Sequence, residues 1–133
     1  MVDIHTHLLP NIDDGSKSLD DSLSQISLMA EGGISRAYLT SHYFRGHFQY
    51  TRSEYDDKFN LLVNEVIKAG IDIDLQPGFE IYLQPGILSD IKQHNLTMGK
   101  SNYILLESDL NGLPSDFYNN IYPLLRAGYK PIL

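Results

Sequence analysis

The chain has 133 residues, 42% of them apolar, with a formal charge of −7 and no cysteine. This length and apolar content suit one ordinary domain with a real core, while the missing cysteines exclude disulfides, thiolate metal sites and cysteine-nucleophile catalysis. The acidity and the lack of a Lys/Arg-rich run argue against a nucleic-acid partner, and no apolar run nears the ~20 residues that span a bilayer, so membrane insertion is not expected and a cytoplasmic setting is.

The first predicted strand is Val2–His5, within MVDIHTHLLPNIDDG. Alternation along an extended segment puts His5 and His7 on one face and Ile4 and Thr6 on the other, so the imidazoles should converge. A helix follows over Ser18–Glu31, with Leu19, Leu23, Ile26 and Met29 at helical spacing, Ser18 and Asp21 placed as a capping box, and Gly32–Gly33 as the stop. Arg36–Ser41 is the second strand. Thr51 with Glu54 caps a second helix, Arg52–Ala69, whose Phe59, Leu62, Val66 and Ile67 should face inward and which Gly70 ends. Asp20, Asp21, Asp56 and Asp57 read as first-turn charges favoured by the helix dipole. A strand at Ile71–Gln76 runs into Gly78–Glu80, followed by a short helix near Gly86–His94, a strand at Tyr103–Glu107, a helix near Ser115–Ala127 and a last strand at Lys130–Leu133. No repeat or linker interrupts the pattern, so a single domain over residues 1–133 is expected. Strands separated by helices predict an α/β fold with a mainly parallel sheet, either open and doubly wound or part of a barrel.

Polar residues recur where these strands end. His5 and His7 close the first strand, His42 follows the second, Glu80 the third, and Glu107 ends the fourth; Asp13 and Asp14 can reach the same rim from the first loop. The carboxyl edge of such sheets is where sites are built. Taken singly, a strand histidine is commonly a hydrogen-bonded structural residue, whereas Glu107 inside YILLES needs a partner, a metal or exposure. Taken together, the histidines and carboxylates form the donor set of a multinuclear metal site. His47 and His94 read as solvated surface residues.

The stretches DIHTHLLPNIDDG, TSH around His42, PGFEIYL around Glu80 and LLES around Glu107 resemble the metal-binding motifs of the PHP (polymerase and histidinol phosphatase) superfamily. The resemblance is strongest to its bacterial manganese-dependent tyrosine-protein phosphatases, which regulate capsular and exopolysaccharide synthesis. The HxH start alone is shared with amidohydrolases; the ordered series of motifs is specific. The resemblance implies a distorted TIM-like barrel with a trinuclear centre in which His5, His7 and Glu80 bind one metal, Glu80 bridges to a second held by Glu107, and Asp14 with His42 holds a third. Manganese is the implied metal, with iron or zinc as alternatives. The sequence reaches YKPIL without the later His-Pro-Glu and Asp-x-His motifs of that family or its phosphate-clamping arginines, so an N-terminal portion of the barrel is expected, with unpaired edges that favour self-association.

The function implied is hydrolysis of phosphotyrosine on a partner tyrosine kinase of polysaccharide synthesis, by metal-activated water and without a protein nucleophile. The alternatives are a phosphoesterase for a small phosphate monoester and a non-catalytic truncated remnant. Arg45, in HYFRGHF, is the local cation best shaped to meet a phosphate or an acidic peptide, and is equally readable as an ordinary loop arginine. Tyr43, Phe44 and Phe48 beside it pack either on a phosphotyrosine ring or inward.

Overall fold

The computed structural model describes residues 1–109 and 115–133. Strands β1 (Val2–Thr6), β2 (Arg36–Tyr43), β3 (Asp74–Tyr82), β4 (Tyr103–Glu107) and β5 (Lys130–Ile132) alternate with helices α1 (Leu19–Glu31), α2 (Arg52–Lys68), α3 (Ile87–His94) and α4 (Phe117–Arg126). All strand pairs are parallel and the sheet order is β1-β2-β3-β4-β5. That order decides between the two architectures. A doubly wound sheet reverses direction at a switch point; here each strand lies beside its predecessor, so right-handed crossovers lay the helices on one face, as in a barrel.

The core fills the space between sheet and helices. Leu39, Phe79, Ile81 and Ile104 from the strands meet Ile26, Tyr55, Leu62, Ile91 and Leu124 from the helices, each no more than 1% exposed. Burial of a side chain of this size stabilises by about 1.5–3 kcal/mol. The inner stripe of α2 is Tyr55, Phe59, Leu62 and Val66. Ile67 was expected to join it but is 68% exposed, because one helical step carries it about 100° round from Val66.

The helix starts follow local chemistry. α2 opens with a complete capping box, Thr51 accepting the Glu54 N–H and Glu54 accepting that of Thr51. At α1 only half of the expected box forms: Ser18 accepts the Asp21 N–H, while the Asp21 carboxylate accepts from the Lys17 N–H and the Ser16 hydroxyl. Asp56 and Asp57 lie past the first turn of α2, where Asp56 pairs with Arg52 at 2.8 Å. The strand ends also move. β3 starts at Asp74 rather than Ile71, and β2 and β3 pair without a break from Arg36 opposite Asp74 to Tyr43 opposite Ile81, so His42 and Glu80 lie inside strands and directly opposite each other.

Tyr55 locks this pair of strands from below. Its fully buried hydroxyl donates to the Leu39 carbonyl at 2.8 Å and accepts the Gly78 N–H at 3.1 Å. Tyr55→Phe leaves that N–H without its partner, and the expected loss is about 1–3 kcal/mol. Urea unfolding should show a lower midpoint at an unchanged slope; an unshifted midpoint would show the hydroxyl to be dispensable.

Candidate metal centre

β1 carries a bulge. Its register runs from Asp3 opposite Ala37 to Thr6 opposite Leu39, so β1 uses one residue more than β2 over the same rise. This overturns one expectation: Ile4 does not pack on the face opposite His5 but is 41% exposed, lining a concavity with Tyr38 and Tyr103. Beyond the bulge Thr6 is buried, its hydroxyl donating to the Tyr38 carbonyl and its N–H to Thr40 Oγ1. His5 and His7 flank it with their Nε2 atoms 3.1 Å apart.

The next segment folds back on His7. The Ser16 N–H donates to the His7 carbonyl and the Asn11 N–H to the Ser16 carbonyl, both at 3.0 Å, with Asn11 in the left-handed region that asparagine tolerates. Gly15 is pressed against His7: a Cβ there would stand 2.2 Å from its carbonyl oxygen and 2.5 Å from its Cβ. Gly15→Ala must push the loop, with Asp13 and Asp14, away from His7. Affinity for a divalent cation is expected to fall by at least about tenfold, measured by titration calorimetry against the unaltered chain; equal affinities would show that the loop adapts freely.

Donor atoms from four strands and this loop meet at the rim. Glu80 Oε2 lies 2.9 Å from His5 Nε2, 3.0 Å from His7 Nε2 and 3.4 Å from His42 Nδ1. Glu107 Oε2 is 3.2 Å from His42 Nδ1, and Asp14 Oδ1 is 3.4 Å from His42 Nε2. Among the described residues this makes three overlapping groups, His5/His7/Glu80, His7/Asp14/His42 and His42/Glu80/Glu107, the donor atoms of each within 4.8 Å of one another. The distances alone would pass for ion pairs. Yet Glu80 Oε2 and His42 Nδ1 are buried and make no hydrogen bond of acceptable direction. Buried polar atoms left without partners are costly, and donors aimed at common points rather than at each other are what a cation requires, so these residues fit a metal.

The electrostatics agree with the geometry. Burial opposes ionisation of Glu80, but contacts with His7 and His5 outweigh it and keep the carboxyl below the ordinary range. Asp13, then Glu80, push His7 up to about 10. The cluster thus calls for positive charge among its carboxylates, as a proton or as a cation.

Asp13 stands behind the cluster with a side chain that has no solvent exposure. It faces His7 Nδ1 at 3.0 Å and accepts the backbone N–H groups of Gly15 and His42, each at 3.0 Å. The sequence put Asp13 at this rim without a task; the tandem carboxylates of IDDG were the available signal. Phe48 stacks on the His42 ring, 4.9 Å away and 4° from parallel, and the Tyr50 hydroxyl donates to the His42 carbonyl at 2.6 Å. Phe44 stacks between His47 and Tyr82, 3.9 Å from each, and the Tyr43 hydroxyl donates to Asp90. Arg45 is not drawn into the cluster. Its Nε lies 3.2 Å from Asp90 and its terminal nitrogen donates to the Pro85 carbonyl. His47 is exposed, whereas His94, expected to be solvated, is half-buried beside Tyr43 because Arg52 bonds its carbonyl at 2.7 Å and holds the end of α3 against α2.

All of residues 1–133 match the family described as capsular polysaccharide synthesis, CpsB/CapC. The chain belongs to this family. Among CpsB/CapC relatives, tyrosine-protein phosphatase YwqE of Bacillus subtilis is 28% identical over 134 residues, taking in 100% of this chain and 53% of YwqE. Tyrosine-protein phosphatase CpsB of Streptococcus pneumoniae is 27% identical over 135 residues, again 100% of this chain and 55% of the relative. A chain from the crystal structures of YwqE and CpsB, described as unique metal-dependent tyrosine phosphatases, superposes with a TM-score of 0.90 at 28% identity, over 98% of this chain and 53% of that one. The chain spans about half the length of the curated relatives it matches. The CpsB/CapC fold here is thus α/β, with parallel strands curled into half of a barrel, in agreement with the resemblance carried by the HxH, DDG, SH, GFE and LLE motifs. Among the described residues no helix is long and apolar enough to cross a membrane.

Proposed function

We propose that this chain carries the N-terminal part of the metal centre of a cytoplasmic protein-tyrosine phosphatase, which uses manganese to hydrolyse phosphotyrosine on a partner kinase of capsular or exopolysaccharide synthesis. The observation that supports this most is the convergence of His5, His7 and His42 nitrogens on a buried Glu80 oxygen that has no directed partner, in a chain whose relatives are tyrosine-protein phosphatases.

In this reading His5, His7 and Glu80 would hold one cation, Glu80 and Glu107 a second, and Asp14 with His42 a third. A cation held there would supply an activated water and charge compensation for the phosphoryl group of an in-line displacement. The chain's own residues set the stage. Glu80 and His42, on facing rungs of β3 and β2, fix the spacing of the groups they share. Phe48 covers one face of the His42 ring, while His5, with its side chain 46% exposed, leaves the cluster open for a phosphate to approach. Residues 1–133 supply no thiolate nucleophile, since they contain no cysteine. Arg45 follows β2 at the same rim and would meet an anionic peptide in exchange for Asp90.

The test compares turnover of phosphotyrosyl peptide, phosphoseryl peptide and small phosphate monoesters with manganese, iron or zinc, using this chain and a version extended to the length of its relatives. Preference for the phosphotyrosyl peptide supports the reading; preference for a small ester replaces the substrate; bound metal without turnover in either version favours a non-catalytic remnant. Size exclusion run alongside is expected to give a mass above the 15.1 kDa of one chain, through the sheet edges at β1 and β5.

A further inference from the structure

We infer that Asp13 is the positioning residue of the centre: its buried carboxylate holds His7 with the proton on Nδ1, so that Nε2 is offered to the cation, and ties that histidine to the strand carrying His42. The inference rests on the metal reading above. A neutral imidazole has one N–H and one lone pair, and which nitrogen carries which is set by what the other faces. An ionised carboxylate only accepts. With Asp13 Oδ2 at 3.0 Å from His7 Nδ1, the proton belongs on Nδ1 and the lone pair on Nε2. Nε2 is the atom that stands 3.0 Å from Glu80 Oε2 and 3.1 Å from His5 Nε2, so the lone pair faces the other donors.

The carboxylate is itself held in place. Oδ2 also takes the His42 N–H and Oδ1 takes the Gly15 N–H, so one side chain joins the end of β1, the loop after it and β2. Its neighbour does the opposite task. Asp14 has a side chain 70% exposed and faces His42 Nε2, so the first carboxylate of the tandem lies behind the donors and the second among them. Carboxylates that hold a ligating histidine through its other nitrogen typically account for ~10–100-fold in metal affinity or activity.

The test is a double-substitution cycle read by manganese affinity in titration calorimetry, with circular dichroism and thermal melts to verify folding. Asp13→Asn keeps the side-chain size and removes the charge; its affinity should fall ~10–100-fold. In a His7→Ala background, where Asp13 has no ring to hold, the same change should cost less than about twofold. Unaltered affinity in Asp13→Asn overturns the inference, and so does a loss that persists undiminished without His7, which would mean that Asp13 acts through the loop alone. If the variants fail to fold, the unaltered chain answers: loaded with zinc, its long-range proton–nitrogen correlation spectrum should show His7 bound through Nε2 with a proton kept on Nδ1. Ligation through Nδ1 would overturn the inference while leaving the metal reading intact. An unaltered chain that takes up neither manganese nor zinc would instead remove the metal reading, and the role of Asp13 with it.

Discussion

In the proposed phosphatase, extended to the length of its relatives, Glu80→Gln is expected to abolish phosphotyrosyl turnover and to weaken manganese binding by more than about a hundredfold. Glu80 belongs to two of the three donor groups, is only 7% exposed, and faces nitrogens of His5, His7 and His42 with a single oxygen. Glutamine preserves the shape but removes the negative charge that faces those imidazoles, and its amide group donates where the carboxylate accepted. Loss of a residue that merely orients a ligand costs ~10–100-fold; loss of a ligand shared between groups must exceed that. The measurement pairs kcat on a phosphotyrosyl peptide with metal content of the purified variant. A Glu80→Gln protein that keeps both its metal and its rate would remove Glu80 from the centre.

In the same extended protein, stripping the metal should abolish the proposed phosphotyrosyl turnover, and adding manganese back should restore it. Alkylation of thiols should leave that turnover unchanged, since residues 1–133 contribute no cysteine. The two treatments separate this chemistry from that of phosphatases that attack with a thiolate. Removal of the cation should also lower stability, since an ion held by the folded rim and not by the unfolded chain favours folding. At a metal concentration of 100 times Kd the lost stabilisation is about 2.7 kcal/mol, visible as a lower melting temperature in the stripped protein. Full turnover in metal-free protein would contradict the hydrolytic mechanism, and an unchanged melting temperature would contradict the assignment of the cation to this cluster.

Most of the candidate site was legible because its histidines and carboxylates interrupt local patterns. Glu107 ends an apolar strand, Glu80 ends PGFE, and His5 and His7 break the strand that opens the chain. Turn chemistry likewise made the alternation of strands and helices readable. What was hidden depends on partners distant in sequence. Strand order separates a barrel from a doubly wound sheet, and no local signal states which strand will be a neighbour. The β1 bulge follows from pairing with β2 and left no glycine or proline to announce it, so the exposure of Ile4 was unforeseen. Asp13 and Asp14 are adjacent and identical in type; only the closure of Ser16 onto the His7 carbonyl turns one behind the donors and the other among them. Arg45 looked free because Asp90, which engages it, belongs to α3.

The strand order also has a kinetic side. Since each of the five described strands pairs only with those before and after it along the chain, this part of the sheet can grow in the order of synthesis, one crossover at a time. Of the five strands β1 is made first, and His5 and His7 then have only Asp13 and Asp14 of the following loop for company. His42 joins them when β2 docks, and Glu80 only with β3. A nascent chain arrested before β3 would therefore hold the histidines without the carboxylate that gathers them, and its capacity to retain a cation should appear as a step during translation, at the length that lets Glu80 leave the exit tunnel and pair.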